Sequence, residues 1–366
     1  MDAVSTHVSA VPQMPGKTSR SGIEQRELQE LVLETEAQLR SLGNASILIT
    51  GATGWFGVWL IDFLSAADDM LNLDLRIAAV SRDPERFLAK FPAFSGDSRI
   101  TWIKADVREL PATGDEYSHV IHAAADTTAR PGSNAAAQLF DTIVDGTRRA
   151  LAAAGPNCRS FLLLSSGAVY GPARAGSARF YEEDAETADV SLLRNEYAIG
   201  KREAERICAV AGGEGIPARI ARCFAFVGPH MPFDRHFAIG NFIADAAQGQ
   251  PIRVRSDGRP QRSYLYMTDL LRALLAILTE GSVGRPYNVG SEICFTIEQV
   301  ARCVDRIVGG GGVMIEGVQS DPCDRYIPDT TRLRTELKCA QHIGLETAIA
   351  QTAAWYRAQI RTQMSP

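Results

Sequence analysis

The sequence predicts an α/β fold: a doubly wound parallel sheet with a smaller C-terminal α+β lobe that faces the substrate. Three observations carry this reading. Short apolar, β-branched-rich runs recur in the first 230 residues (SILITG, LRIAAVS, ITWIKAD, HVIHAAA, SFLLLSS). Longer stretches with helical periodicity separate them, among them VWLIDFLSAADDM, AAQLFDTIVDGTRRALAAAG and NEYAIGKREAERICAVAGG. Strands alternating with helices lead to a parallel sheet covered on both faces. At 366 residues, 45% hydrophobic and 22% charged, the chain can bury a large core in one big domain or two coupled ones.

The elements follow in order. Residues 1–22 mix Ser, Thr, Pro, Gly and Met without periodicity and read as a disordered leader. Residues 23–42 place Leu28, Leu31, Val32, Ala37 and Leu39 at near-helical spacing, which predicts one amphipathic helix ahead of the main fold. Residues 43–230 carry the alternating pattern, and later segments are expected to return to it. Residues 231–366 have a looser pattern, with GQPIRVRSDGRPQRSYLY and GGGGV flanking the helical DLLRALLAILTEG. This part reads mainly as a substrate-binding lobe.

Net charge is −5, so electrostatics gives no reason to expect nucleic acid or an anionic membrane as a partner. The chain has no apolar run long enough to span a bilayer and its start lacks a signal-type apolar segment, so a cytoplasmic protein is expected. Seven cysteines without a CxxC pair or a nearby His cluster argue against a disulfide framework and against a metal site.

The first strand runs into Gly51-Ala52-Thr53-Gly54-Trp55-Phe56-Gly57 and then at once into a helical pattern. Glycines there permit a tight turn and close backbone approach, so that a pyrophosphate can rest on the helix N-terminus. In this setting the loop predicts a Rossmann dinucleotide site comprising Gly51, Thr53, Gly54, Trp55, Phe56 and Gly57. The second strand ends Val80-Ser81-Arg82-Asp83. Ser81 and Arg82 suit a 2′-phosphate and so NADP, whereas Asp83 as the ribose acid would favour NAD. Asp106 and Val107 are placed near the adenine, and Ala123, Ala124 and Ala125 offer small side chains where backbone passes the cofactor. His122 reads as a core histidine with satisfied hydrogen bonds.

Tyr197 and Lys201 lie four residues apart at the start of a predicted helix, on one face. A phenol of ordinary pKa about 10 is a poor base at neutral pH, but an adjacent ammonium and an oxidised nicotinamide both stabilise the phenolate.

In this order, GxxGxxG, a Ser-bearing fifth strand ending in VYG, and YxxxK, the chain resembles an extended short-chain dehydrogenase/reductase over roughly residues 46–350. Within that superfamily it resembles the nucleotide-sugar epimerase/dehydratase/ketoreductase family. SDGRPQRSYLYMTDL (256–270) is similar to that family's GDGxxxRDFxYVxD stretch, and DRYIPDTTRLRTEL (324–337) to its second diphosphate segment. AFVGP (225–229) matches the turn after the sixth strand. The resemblance implies that Arg262 and Arg325 grip a diphosphate and that Ser166 hydrogen-bonds the reacting oxygen. It also implies that Tyr197 exchanges a proton there, that Lys201 holds the nicotinamide ribose, and that the protein is a homodimer. Ser165 is then strand packing and Tyr170 a structural residue.

Departures narrow the chemistry. Dehydrating members follow the serine with Asp-Glu and decarboxylases keep the Glu, but this chain has Gly167-Ala168, neither of which carries a proton. The family's Asn-Val-x-Gly-Thr is Ile143-Val144-Asp145-Gly146-Thr147 here, and Ala225 replaces an Asn after the sixth strand. Thr127 and Asn241 are candidate replacement substrate contacts. The expected activity is NAD(P)-dependent reduction of a 4-keto-6-deoxy sugar on a nucleoside diphosphate, with Tyr197 as proton donor. An NAD-dependent nucleotide-sugar 4-epimerase and a reductase of a non-sugar carbonyl are the alternatives, and a cofactor-sensing binding protein without catalysis is a fourth reading.

Overall fold

The computed structural model describes residues 19–112, 117–125, 135–173, 177–185, 196–233, 237–318 and 324–364. The chain enters through α1 (Gln25–Glu34) and α2 (Glu36–Arg40), two helices where the periodicity predicted one. The break is at Thr35, whose backbone is non-helical and whose hydroxyl donates to the Leu31 carbonyl at 2.7 Å, a back-bond that competes with helix continuation. Ser19 to Ser21, expected in the disordered leader, are instead fastened down. The Ser19 and Ser21 hydroxyls each donate to the buried Asp62 carboxylate at 2.5 Å, and Arg20 pairs with Asp69 and Asp97 at 3.0 Å. A carboxylate about forty residues further along the chain, invisible to local composition, captures them. Residues 1–18 lie outside the described residues.

The alternating half then runs β1 (Ser46–Thr50), α3 (Trp55–Leu71), β2 (Arg76–Ser81), α4 (Pro84–Lys90), β3 (Ile100–Lys104), β4 (His119–His122), α5 (Ala135–Ala154), β5 (Ser160–Ser166), α6 (Glu196–Gly213) and β6 (Ala218–Cys223). Beyond it come β7 (Phe226–Val227), α7 (Ala238–Ala247), β8 (Ile252–Val254), β9 (Gln261–Arg262), β10 (Leu265–Tyr266), α8 (Met267–Glu280) and β11 (Pro286–Val289). The chain closes with β12 (Phe295–Thr296), α9 (Ile297–Val308), β13 (Val313–Ile315), β14 (Arg325–Tyr326), α10 (Thr331–Glu336) and α11 (Leu345–Met364).

Seven strands form one parallel sheet in the order β11-β6-β5-β4-β1-β2-β3, so a strand from the C-terminal half completes the sheet. Side chains alternate across it, as the period of two in a strand requires. Ile47, Ile49, Ile77, Ile121, Leu162 and Leu164 join the core shared with α1, α3 and α8. Leu48, Val80, Val120, Phe161 and Leu163 join the core shared with α5 and α6. Burial on both faces explains why the strands read as continuous apolar runs. The order of strand addition reverses between β1 and β4, which run parallel, and at that switch point a crevice opens outside the carboxyl ends of the strands. The small sheet β12-β9-β14 carries both candidate diphosphate arginines.

Candidate active site

The loop after β1 has the geometry of a cradle. Gly51 has φ +70°, and a Cβ there would sit 2.9 Å from the Ala123 carbonyl and the Ala124 Cα. A Cβ on Gly57 would sit 2.4 Å from the carbonyl oxygens of Gly51 and Ala52. Only glycine fits at either place. The cleft that opens above is lined by Gly51, Thr53, Gly54, Trp55, Ser81, Arg82, Asp106, Val107 and Ala123 to Ala125. These are candidate cofactor residues chosen from sequence, brought together from four strand ends, and they fit an extended dinucleotide. Two candidates of the loop lie elsewhere, Gly57 beneath it and Phe56, whose ring packs edge-on to Phe226 with centroids 5.3 Å apart. The candidates Tyr197 and Lys201 are also not among the residues lining this cleft. The Trp55 indole nitrogen donates to the Pro229 carbonyl at 2.8 Å, which ties the cradle to the turn after β7.

At the end of β2 the Ser81 hydroxyl is 2.9 Å from Thr53 Oγ1. Asp83 lines the same cleft, and one of its carboxylate oxygens caps α4 by accepting from the Arg86 amide at 3.0 Å. Arg82, Arg86 and Lys90 line the same cleft. Asp106 is ion-paired with Arg108 at 2.8 Å, and this bond holds its carboxyl below the ordinary range. His122 is satisfied on both ring nitrogens, by Thr50 at 2.7 Å and Thr147 at 3.2 Å, and burial pulls it down to about 3. It is a neutral core residue.

Ser166 ends β5 and caps the single turn Gly167–Tyr170, accepting the Ala168 amide at 3.1 Å. Tyr197 and Lys201, one turn apart on α6, face it. Burial pushes the Tyr197 phenol up to about 12, against a downward pull from its hydrogen bond with Ser166. The depression expected from Lys201 is not what these groups produce by themselves. Lys201 Nζ lies 5.9 Å from the Tyr197 ring centre and donates to the Leu164 carbonyl at 2.6 Å. Burial in turn pulls the Lys201 ammonium down to about 8. Ile143, in the place of the family's Asn, is buried and packs on Gly200, so the helix seam beneath the site is apolar.

Beneath Ser166 lies a buried polar network. Ser165 donates to Glu205 at 2.5 Å, Glu205 pairs with Arg222 at 2.7 Å, and Arg222 reaches the Tyr170 hydroxyl at 3.0 Å and the Glu182 carbonyl at 2.8 Å. Tyr170 donates to Asn288 Oδ1 at 2.6 Å. Ser165 and Tyr170 therefore join β5 to β6, β11 and α6 rather than facing a ligand.

Arg262 and Arg325 come together on neighbouring strands: β14 pairs in parallel with β9, Arg325 opposite Gln261 and Tyr326 opposite Arg262. Arg262 is paired with Asp324 at 2.5 Å, and Arg325 donates to Gln261 Oε1 at 2.7 Å and the Ser177 carbonyl at 2.9 Å. Asn241 is half-buried on α7 and is not among the residues lining the dinucleotide cleft. Thr127 lies outside the described residues. Sequence reasoning missed Tyr326: a Cβ on Gly167 would meet its hydroxyl at 2.6 Å and the Phe224 ring at 2.8 Å. An aromatic residue beside Arg325 in the diphosphate segment was the available signal.

A seven-stranded parallel sheet with a glycine cradle after its first strand and Ser, Tyr and Lys at its fifth strand and following helix defines an extended short-chain dehydrogenase/reductase fold. The chain belongs to the NAD dependent epimerase/dehydratase family, which it matches over residues 47–290. It is similar to the UDP-N-acetyl-α-D-glucosaminuronate decarboxylase of Bacillus cytotoxicus, 28% identical over 323 residues spanning 85% of this chain and 97% of that one. It is also similar to the dTDP-glucose 4,6-dehydratase of Streptomyces griseus, 26% identical over 322 residues (85% and 93%). Among solved structures, the UDP-glucuronic acid 4-epimerase of Bacillus cereus in complex with NAD shares the fold, with a TM-score of 0.71, 20% identity and coverage of 87% and 99%. No helix among the described residues is long and apolar enough to cross a membrane, and these residues contain no group of His, Cys, Asp and Glu side chains suited to a metal ion.

Proposed function

We propose that the protein reduces a keto group on a nucleoside-diphosphate sugar, a 4-keto-6-deoxy sugar, using NADPH. One observation carries the reading: the serine, tyrosine and lysine of a carbonyl-reducing site converge where Gly167 and Ala168 leave no acid or base for elimination or decarboxylation. Glu205, the carboxylate that Ser165 reaches, is buried in an ion pair with Arg222 and so is not free to take the role. The named activities of the relatives, on UDP- and dTDP-sugars, support the nucleotide-sugar class.

In this reading Gly51, Thr53, Gly54 and Trp55 hold a pyrophosphate, Asp106 and Val107 border the adenine, and Ala123 to Ala125 let the nicotinamide half pass. Hydride transfer at a sugar carbon is the chemistry a bound nicotinamide supplies. Ser166 hydrogen-bonds the carbonyl oxygen and Tyr197 gives it a proton. A phenol pushed up to about 12 is protonated at neutral pH, the form a donor needs. Lys201 holds the nicotinamide ribose. Arg262 and Arg325 exchange their present partners, Asp324, Gln261 and the Ser177 carbonyl, for the substrate diphosphate. NADP is favoured over NAD because three cations, Arg82, Arg86 and Lys90, line the cleft, and Asp83, the acid beside them, is engaged in capping α4. In the same reading the protein works in the cytoplasm as a homodimer, through helices that include α6, the helix of Tyr197.

The test is nicotinamide absorbance on mixing the protein with NADPH and a dTDP- or UDP-4-keto-6-deoxy sugar. Stoichiometric oxidation with formation of the 4-hydroxy sugar is expected. Interconversion of sugar epimers without net oxidation would overturn the reading in favour of a 4-epimerase.

A further inference from the structure

The position that would hold an acid in dehydrating relatives is filled from the far end of the chain. The Tyr326 hydroxyl lies 2.6 Å from where a Cβ on residue 167 would be. Its ring packs on Phe224 with centroids 4.7 Å apart and on Phe180 at 6.3 Å. Phe180 in turn stacks on Tyr170 at 5.0 Å. The phenol is thus held by an aromatic cluster and cannot swing away freely. At its tip it meets Ser166, the neighbour of Gly167, and burial pushes it upward so that it stays protonated.

A serine hydroxyl has two acceptor sites and one hydrogen. Ser166 Oγ already accepts the Ala168 amide at 3.1 Å. One acceptor site is left, and the Tyr326 hydroxyl, beside the neighbouring Gly167, is placed to fill it as a donor. The one remaining hydrogen can then only be donated, and the group it faces is the oxygen of Tyr197 or a substrate oxygen beside it.

We propose that Tyr326 is a positioning residue of the active site, which donates to Ser166 and so fixes Ser166 as a donor toward Tyr197 and the reacting oxygen. The inference rests on the reading of Ser166 and Tyr197 given above and adds a third hydroxyl to it. It also links the site to substrate recognition, because Tyr326 is the strand-register partner of Arg262 and the chain neighbour of Arg325. The ionisable groups around the two phenols are Lys201 and Tyr197 from α6, Cys223 from β6 and Tyr170 from the turn after β5.

The test is a double-mutant cycle on Tyr326→Phe and Ser166→Ala, read by 13Cζ-tyrosine NMR titration of Tyr197 with saturating NADP+ and, separately, NAD+. Tyr326→Phe is expected to raise the Tyr197 pKa by up to about one unit, since one hydrogen bond is removed. In the Ser166→Ala background it should have no further effect. With a 4-keto sugar nucleotide, kcat should fall on the order of tenfold with KM unchanged. An unchanged Tyr197 pKa, or an equal shift with and without Ser166, would overturn the proposal. Should Tyr326→Phe lose its fold, 3-fluorotyrosine at 326 keeps the ring and is a stronger donor. It must then lower the Tyr197 pKa, and a null or upward shift counts against the idea. If the wild type turns over no keto sugar, the functional reading fails while the titration still decides the role of Tyr326.

Discussion

Ser165 donates a 2.5 Å hydrogen bond to Glu205, and that carboxylate is ion-paired to Arg222 at 2.7 Å with both side chains about nine-tenths buried. The residue beside the candidate catalytic serine is thus anchored to the helix that carries Tyr197 and Lys201. Removing Arg222 leaves a buried charge without its partner. Arg222→Ala is expected to destabilise by roughly 3–5 kcal/mol, measured by urea denaturation. A loss below about 1 kcal/mol would show that water reaches Glu205.

Glu27 offers a pH prediction. Burial pushes its carboxyl up to about 7, while its Oε2 accepts from the Tyr266 hydroxyl at 2.7 Å. Between the ordinary carboxylate range and pH 7 the folded protein keeps a proton that the unfolded chain has released, so stability falls as pH rises through that window. Glu27→Gln retains an acceptor for Tyr266 and should remove this slope, adding on the order of 2 kcal/mol at pH 8 and little at pH 4. Parallel pH–stability curves for the two proteins would refute the assignment.

Gly167 and Gly57 are expected to be intolerant for different reasons. Gly167→Ala drives a methyl into the Tyr326 hydroxyl and the Phe224 ring, side chains that yield in part, and costs roughly 1–3 kcal/mol. Gly57→Ala meets backbone carbonyls, which do not yield, so it should also weaken dinucleotide binding by at least about tenfold. Calorimetry with NADPH separates the two: Gly167→Ala should bind the cofactor as the wild type does.

Cofactor choice is testable at Arg82. Arg82→Ala is expected to weaken NADPH binding by about ten- to a hundredfold, the contribution of a charge-assisted hydrogen bond. NADH binding should hardly change. Equal weakening of both would assign Arg82 to the adenine or pyrophosphate instead.

Tyr197→Phe removes the proposed proton donor and should lower kcat by about 10²–10⁴-fold without loss of thermal stability, since a buried hydroxyl is replaced by hydrogen. In the wild type, the reductive rate should be flat at neutral pH and fall as pH rises toward the Tyr197 pKa, because the protonated phenol is the active form. A rate that instead grows with pH would identify Tyr197 as a base.

Much of this arrangement was legible because it is local. Gly51 to Gly57 declare a tight turn by residue type alone, and the continuous apolar runs of β1 and β5 declare burial on both faces. What escaped detection depends on partners far along the chain. Thr35 divides an otherwise regular amphipathic helix through a hydroxyl back-bond. Ser19 to Ser21 look like leader sequence until Asp62 is placed beneath them. Gly167 reads as a missing acid, but the space a side chain would need there is taken by a tyrosine from β14 and a phenylalanine just after β6. Asp83 reads as a ribose acid, and its part in capping α4 shows only once the start of that helix is placed.

The first helix has a consequence for the order of folding. α1 packs on α3, but it also reaches α8: Tyr266 donates to Glu27, and Arg272 is ion-paired with Glu34. α1 therefore cannot finish docking until the more than two hundred residues between it and α8 have been synthesised. During that interval the apolar stripe Leu28, Leu31 and Val32, fully buried in the finished protein, has only part of its cover. Contacts this distant in sequence form slowly, so nascent chains that end short of α8 are the species most exposed to aggregation and to chaperone capture.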